Sequence, residues 1–257
     1  MKIEAYIPTQ LLKPFIKAYR IVESEVEMTN RILPGTSLVV AFRYKGRVSY
    51  LSDNREEILP ASTISGLRKS VRLIHYLQDS ATIVVQFKET GAKAFFNEPL
   101  YELFEESISL DALIKRNTIE IIEEQLAEAQ NNIQRIAIIE QFLLSRLDSY
   151  KPDRLISTAV EIIHSTKGII RIKELADTLC ISNDAFEKRF RKVVGTSPKQ
   201  FSSIIRLEAI VRQKQQAESL ADIAFNAGYY DQPHFNKDFK LFTGQTPSAF
   251  YKSPNFW

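Results

Sequence analysis

Phe186-Glu187-Lys188-Arg189-Phe190-Arg191-Lys192-Val193-Val194-Gly195-Thr196-Ser197-Pro198-Lys199-Gln200-Phe201 is followed by Phe235-Asn236-Lys237-Asp238-Phe239-Lys240-Leu241-Phe242-Thr243-Gly244-Gln245-Thr246-Pro247-Ser248-Ala249-Phe250, and the two read as one pattern written twice. Phe186, Phe190, Gly195, Pro198 and Phe201 each recur 49 residues later, at Phe235, Phe239, Gly244, Pro247 and Phe250. Upstream, Ala176 pairs with Ala224 at an offset of 48, so the second copy has one more residue between its first helix and its Phe-x-x-x-Phe helix. Turns accept an insertion and packed helices do not, so the pattern reads as a duplicated helix-turn-helix.

Working outward, the whole C-terminal part reads as helical. Helices are expected at about 153–165, 172–180, 183–194, 199–216, 220–227, 232–242 and 247–251, with Gly168, Gly195, Gly228 and Gly244 at or just past their ends. Ser219 with Asp222 forms a capping box in its Asp form. In each copy a short helix with an apolar-Ala pair, Leu175-Ala176 or Ile223-Ala224, precedes a turn and a second helix capped by Ser182 or Asp231. The second helix buries Phe186, Phe190 and Val193 in one copy, and Phe235, Phe239 and Phe242 in the other, at i, i+4, i+7 spacing. Its other face carries Asn183, Asp184, Glu187, Lys188 and Arg191, or Gln232, Asn236, Lys237 and Lys240. Asn, Gln, Glu and Lys at a helix start can pair with base edges in a major groove, and Lys or Arg further along can reach phosphates. One such face alone is an ordinary solvated surface; its recurrence after matched turns favours DNA.

The C-terminal hundred or so residues resemble the AraC/XylS family of bacterial transcription regulators. The resemblance rests on Leu175-Ala176, Ser182, Phe186, Lys188, Phe190 and Gly195-Thr196-Ser197-Pro198, then Arg206-Leu207-x-Ala209. It continues through Ile223-Ala224-x-x-Ala227-Gly228-Tyr229-x-Asp231-Gln232-x-His234-Phe235-Asn236-Lys237-x-Phe239-Lys240 to Gly244-Gln245-Thr246-Pro247. It implies two helix-turn-helix units held by one linking helix, here about Lys199 to Ala217, with both recognition helices entering successive major grooves about 34 Å apart. It also implies base-reading positions at Asp184, Glu187 and Lys188, and at Gln232, Pro233, Asn236 and Lys237. Cys180 stands where the family has a turn glycine, so either the turn differs or Cys180 is left-handed; the residue reads as small, apolar and buried rather than reactive. Pro233 fits the first helical turn better than base reading, and His234 could touch phosphate or be structural.

The N-terminal part has another texture. Leu38–Tyr44 and Arg47–Leu51, separated by Lys45-Gly46, read as a hairpin; residues 62–65, 71–76 and 81–87 read as further strands, the last β-branched and central. Leu11 to Val22 reads as a helix started or interrupted at Pro14, and 92–96 and 100–106 as short helices. Ile119, Ile122, Leu126, Ala129, Ile133, Ile136, Leu143 and Leu147 follow 3,4 spacing, with Glu140 where an apolar residue is wanted. That stripe is either a dimer seam or a helical hairpin broken at Asn131-Asn132, and the paired Asn favours the hairpin. Leu33-Pro34-Gly35 and Phe87-Lys88-x-Thr90-Gly91-Ala92-x-Ala94-Phe95-Phe96 resemble, more faintly, the sensor-like domain of an AraC subset. Tyr50, His75, Tyr76, Phe95 and Phe96 are candidates for a pocket lining, although aromatics in a β domain are ordinarily core.

The expected fold is therefore an α+β domain, a small antiparallel sheet or barrel plus helices, over 1–150, then an all-α domain of two helix-turn-helix units and a linking helix over 151–257. The boundary falls at Tyr150-Lys151-Pro152-Asp153, where Pro152 stops one helix and Asp153 caps the next. The chain's net charge of +3 divides unevenly. Residues 151–257 carry 16 Lys and Arg against 11 Asp and Glu, and the remainder 18 against 20, so the positive charge sits with the duplication and suits a polyanion. One cysteine and three scattered histidines give no metal cage or intrachain disulfide to expect, and no phosphate loop or nucleophile elbow points to an enzyme. No apolar run is long enough to span a membrane and Met1-Lys2-Ile3-Glu4-Ala5 lacks a secretory layout, so a cytoplasmic place is expected. Double-stranded DNA is the expected partner, without cofactor or membrane; RNA polymerase, a small-molecule effector and a second copy of the chain are open as further partners, and activation versus repression is undetermined. The competing reading is a protein-interaction module with solvated helical faces and no DNA.

Overall fold

A computed structural model describes residues 1–52, 55–147, 150–212 and 219–252. Among them the N-terminal part forms ten strands: β1 (Lys2–Tyr6), β2 (Ile16–Ser24), β3 (Met28–Ile32), β4 (Val39–Lys45), β5 (Val48–Ser52), β6 (Arg55–Ile58), β7 (Ser62–Ser65), β8 (Arg72–Tyr76), β9 (Ser80–Phe87) and β10 (Ser107–Ser109). They make two antiparallel sheets, one ordered β1-β2-β9-β4-β7-β10 and the other β3-β8-β5-β6. The β-branched run in β9 lies inside the larger sheet as expected, paired with β2 and β4 on its two sides.

Two expectations fail here. The stretch 11–22 is not a helix: a turn closes at Phe15, whose amide donates to the Leu12 carbonyl at 3.0 Å, and β2 follows. Pro14 stops helical growth, and from Tyr19 onward Tyr19 and Ile21 go into the core while Arg20 and Val22 take the opposite face, a period of two that burial on both faces of the strand blurs. Nor do β4 and β5 form a hairpin. The turn at Gly46 carries the chain from one sheet to the other, since β9 and β7 flank β4 while β8 and β6 flank β5. Alternation identifies a strand and is silent about its neighbour.

The expected helices at 92–96 and 100–106 are shorter 3-10 turns, Ala92–Ala94 and Leu100–Leu103. Gly91 of the sensor-like motif has a packing reason: a Cβ there would lie 2.0 Å from the Phe15 carbonyl oxygen. Helices α1 (Arg116–Glu128) and α2 (Asn132–Arg146) form the hairpin, with the Asn131 side chain accepting from the Gln134 amide at the start of α2. Ile119, Ile122, Leu126, Ile136 and Leu143 are buried within the chain and Ala129 and Leu147 half-buried, so most of the stripe is core; Ile133, beside the Asn131-Asn132 break, is 73% exposed. The hairpin covers the larger sheet, where Phe142 meets Phe42 edge-on at 6.1 Å. Glu140 accepts the Thr9 amide at 2.8 Å, which accounts for a carboxylate in an apolar stripe.

The rest is helical: α3 (Arg154–Ser165), α4 (Ile172–Thr178), α5 (Asn183–Val194), α6 (Pro198–Arg212), α7 (Leu220–Asn226), α8 (Gln232–Thr243) and α9 (Pro247–Lys252). The linking helix is described to Arg212; its expected last turn at 213–217 lies outside the described residues. One continuous cluster of buried apolar side chains runs from Leu12 to Phe250 and so joins strands and helices in a single core.

Candidate nucleic-acid interface

The duplication is realised pair by pair. Ser182 accepts the Ala185 amide at the start of α5, and Asp231 accepts the His234 amide at the start of α8. Phe186, Phe190, Phe235 and Phe239 are fully buried. Phe190 meets Phe201 at 5.5 Å between ring centroids, and Phe239 meets Phe250 at 5.2 Å, so the same edge-to-face contact closes both units. Gly195 and Gly244 end α5 and α8 in the left-handed region, with φ of 89° and 78°. Pro198 and Pro247 then open α6 and α9, where a missing N–H is harmless.

This packing leaves one face of each recognition helix in water. Asn183, Asp184, Lys188 and Arg191 on α5, and Gln232, Pro233, Lys237 and Lys240 on α8, are exposed, as are the caps Ser182 and Asp231. Glu187 and Asn236 are half-buried. Two acids on this face have local explanations. Asp184 sits in the first turn of α5, where the amide dipoles favour negative charge; Glu187 pairs with Arg191 one turn on at 3.0 Å. The Asn236 Oδ1 is enclosed without a hydrogen-bond partner among the described residues. Pro233 lies in the first turn, as expected. His234 approaches Asp238 at 3.6 Å and stacks edge-on with Tyr229 at 5.4 Å, a structural setting.

The turns match too. Cys180 and Gly228 each follow the residue that ends their first helix, and both are left-handed. The expectation that Cys180 is buried is wrong: its side chain is exposed, because the left-handed backbone turns the residue away from the Leu175-Ala176 core. Tyr229 is the anchor of the second unit. It is buried, touches Phe235 at 5.4 Å and lies under the Arg206 guanidinium of α6 at 4.5 Å, and burial pushes its phenol well above its ordinary pKa.

Sequence reasoning passed over three residues. Arg189, on the same helix as Lys188, points elsewhere and grips Asp153 through two bonds of 2.6 and 3.0 Å. Phe225 and Tyr230 stand 79% and 98% exposed beside the second turn, on the polar side of the helical stripe, where an apolar residue out of phase was the available signal. In the N-terminal part, Tyr50 and Tyr76 line a cavity between the sheets. The other candidates do not: Phe95 and Phe96 pack on Phe87 in the core, and His75 bonds Thr29 at the edge of the smaller sheet. Among the described residues no helix is long and apolar enough to cross a membrane.

Residues 175–253 match a family described as a helix-turn-helix domain, and residues 4–109 match a domain of unknown function, DUF6597. The chain is 31% identical over 120 residues to the Msm operon regulatory protein of Streptococcus mutans, covering 45% of this chain and 43% of that one. It is 29% identical over 104 residues to an AraC-like transcription regulator of Streptomyces lividans, covering 40% and 34%. It spans about two fifths of the length of such curated relatives. ToxT of Vibrio cholerae aligns over 91% of this chain and 96% of its own, at 12% identity and a TM-score of 0.45. The duplicated units with their caps and turns, and the matched family model, make residues 175–253 a helix-turn-helix domain, similar to that of AraC-like transcription regulators.

Proposed function

We propose that the chain is a DNA-binding transcription regulator that sets α5 and α8 into successive major grooves, with α6 fixing their separation. The observation that carries this reading is the pairwise identity of the two units: same caps, same ring contacts, same exposed polar face. Lys188, Gln232, Asn236 and Lys237 are assigned to base edges, with Asn183 and Asp184 beside them. Arg191 and Lys240, a turn further on, are assigned to phosphates. Glu187 acts by holding Arg191, and Ser182, Asp231 and Pro233 act by fixing the helix starts. The division near Tyr150–Asp153 would separate this reading head from a regulatory part that receives an effector. RNA polymerase and a second copy of the chain are the further partners of such a regulator, and a cytoplasmic place follows from its substrate.

A salt titration of duplex binding tests the reading. Each phosphate contact contributes a slope of about −0.9 in log affinity against log salt. A flat titration, or no duplex binding at low salt, rejects the regulator and leaves the protein-interaction module.

A further inference from the structure

Between the two sheets, beside a small buried cluster of Val22, Val48 and Tyr76, lies a cavity of about 360 Å³. Its size is that of a small-molecule site. The walls are half apolar, with Val22, Val39, Val48, Ile74 and Val84 among them, but the polar groups are distinctive. Lys17, Arg20, Arg43, Arg68 and Arg212 line it, against one acid, Glu208. Among the described residues no carboxylate pairs with Arg68 within 4 Å, and the nearby Arg72 guanidinium, 3.9 Å from the Tyr50 ring centre, adds further positive charge. Although burial pushes the Tyr50 phenol up, the Ser107 and Ser65 hydroxyls and then the Arg72 and Arg68 guanidinium groups hold it below its ordinary value.

Strand register places the polar groups. Val39 lies opposite Gln86 on one side and Ser65 on the other, so Gln86 and Ser65 share a row with the Ser65–Tyr50 contact that reaches the second sheet. One row away from Arg20 and Val84, Thr82 lies opposite Val22. The Gln86 Oε1 and Thr82 Oγ1 are enclosed and have no protein partner. Buried acceptors of this kind need a donor, and a guanidinium without a carboxylate needs an anion.

We propose that the cavity binds a hydroxylated organic anion, whose charged group meets Arg68 and Arg212 while its hydroxyls donate to Gln86 and Thr82. This deepens the effector reading above and rests on it. The route to the reading head is short: Glu208 and Arg212, 3.5 Å apart, belong to α6, the helix that spaces the two recognition helices. A ligand anion draws Arg212 from Glu208 and so acts on that spacing directly.

Calorimetry on the full chain without DNA tests this with four probes at equal millimolar concentration: gluconate, glucose 6-phosphate, glucose and decanoate. Binding of gluconate or glucose 6-phosphate, with glucose at least about tenfold weaker, supports the proposal, and the better of the two identifies the anion as carboxylate or phosphate. Arg68→Gln and Gln86→Leu then each weaken it about tenfold. Should Arg68→Gln not fold, Arg212→Gln at the exposed rim gives the same readout. Glucose binding as well as its anions, decanoate binding alone, or no binding by any probe overturns the proposal. Duplex binding measured without probe is a separate result, so loss of the regulator reading and loss of the ligand class are told apart.

Discussion

Cys180 and Gly228 occupy the same step in the two duplicated turns, and both adopt left-handed backbone, with φ of 52° and 73°. Glycine takes that conformation freely, whereas a residue with a Cβ is disfavoured by about 1 kcal/mol or more. Cys180→Gly should therefore stabilise the chain by up to about 1 kcal/mol, read in chemical denaturation, with duplex affinity unchanged. A loss of stability would mean that the thiol makes a contact that outweighs the backbone strain.

The caps and the two lysines proposed to read bases should separate by what their loss affects. Ser182→Ala and Asp231→Ala each remove a helix N-cap and should lower stability by about 1 kcal/mol. Lys188→Ala and Lys237→Ala should leave stability within about 0.5 kcal/mol while weakening operator binding by about 1–3 kcal/mol and relaxing base preference. Selection of bound duplexes from a random pool reads the second effect; an unchanged preference in both lysine variants would remove them from the list of base readers.

Glu208 gives a pH dependence. Burial raises its carboxyl pKa despite the opposing pull of Arg212 and Lys17, so the fold prefers the protonated form. That stabilising preference is complete below the ordinary carboxylate value of about 4.3 and is lost as pH rises through the higher folded value. Glu208→Gln should raise Tm at pH 7 and give no gain near pH 4. An equal gain at both would assign the effect to packing.

Glu140 should behave in the opposite sense. Glu140 is 8% exposed and accepts the Thr9 amide, so Glu140→Ala removes that hydrogen bond and should cost about 1 kcal/mol, read in chemical denaturation. Glu140→Gln keeps an acceptor and should lose about half as much or less. Equal losses would show that the charge, not the hydrogen bond, is what the site holds.

The helical part was readable because its signals are local. Ser182, Gly195 and Pro198 mark helix ends by their own backbone chemistry, and a Phe every fourth residue declares a buried stripe without reference to any distant segment. The strands were harder. Val39–Lys45 and Val48–Ser52 were found as strands but wrongly joined, because pairing depends on β7, β8 and β9, which lie well downstream. In β2, Tyr19 and Ile21 on one face and Val22 and Ser24 on the other are all buried, which erased the alternation that would have distinguished the strand from a helix. Gln86 and Thr82 looked like ordinary strand residues, and only the gap between the sheets shows their oxygens unpartnered.

The strand-rich and helical parts meet through backbone as well as side chains. Val71, just before β8, donates its amide to the Leu241 carbonyl at the end of α8, Glu89 meets His164 at 3.1 Å, and Leu100 lies against Gly195 at the end of α5. Both reading units thus carry a surface already shaped by the other half. A helical half moved onto a different strand-rich half would lose the contacts that shape its surface. Val71, Glu89 and Leu100 are the residues a chimera would have to bring along.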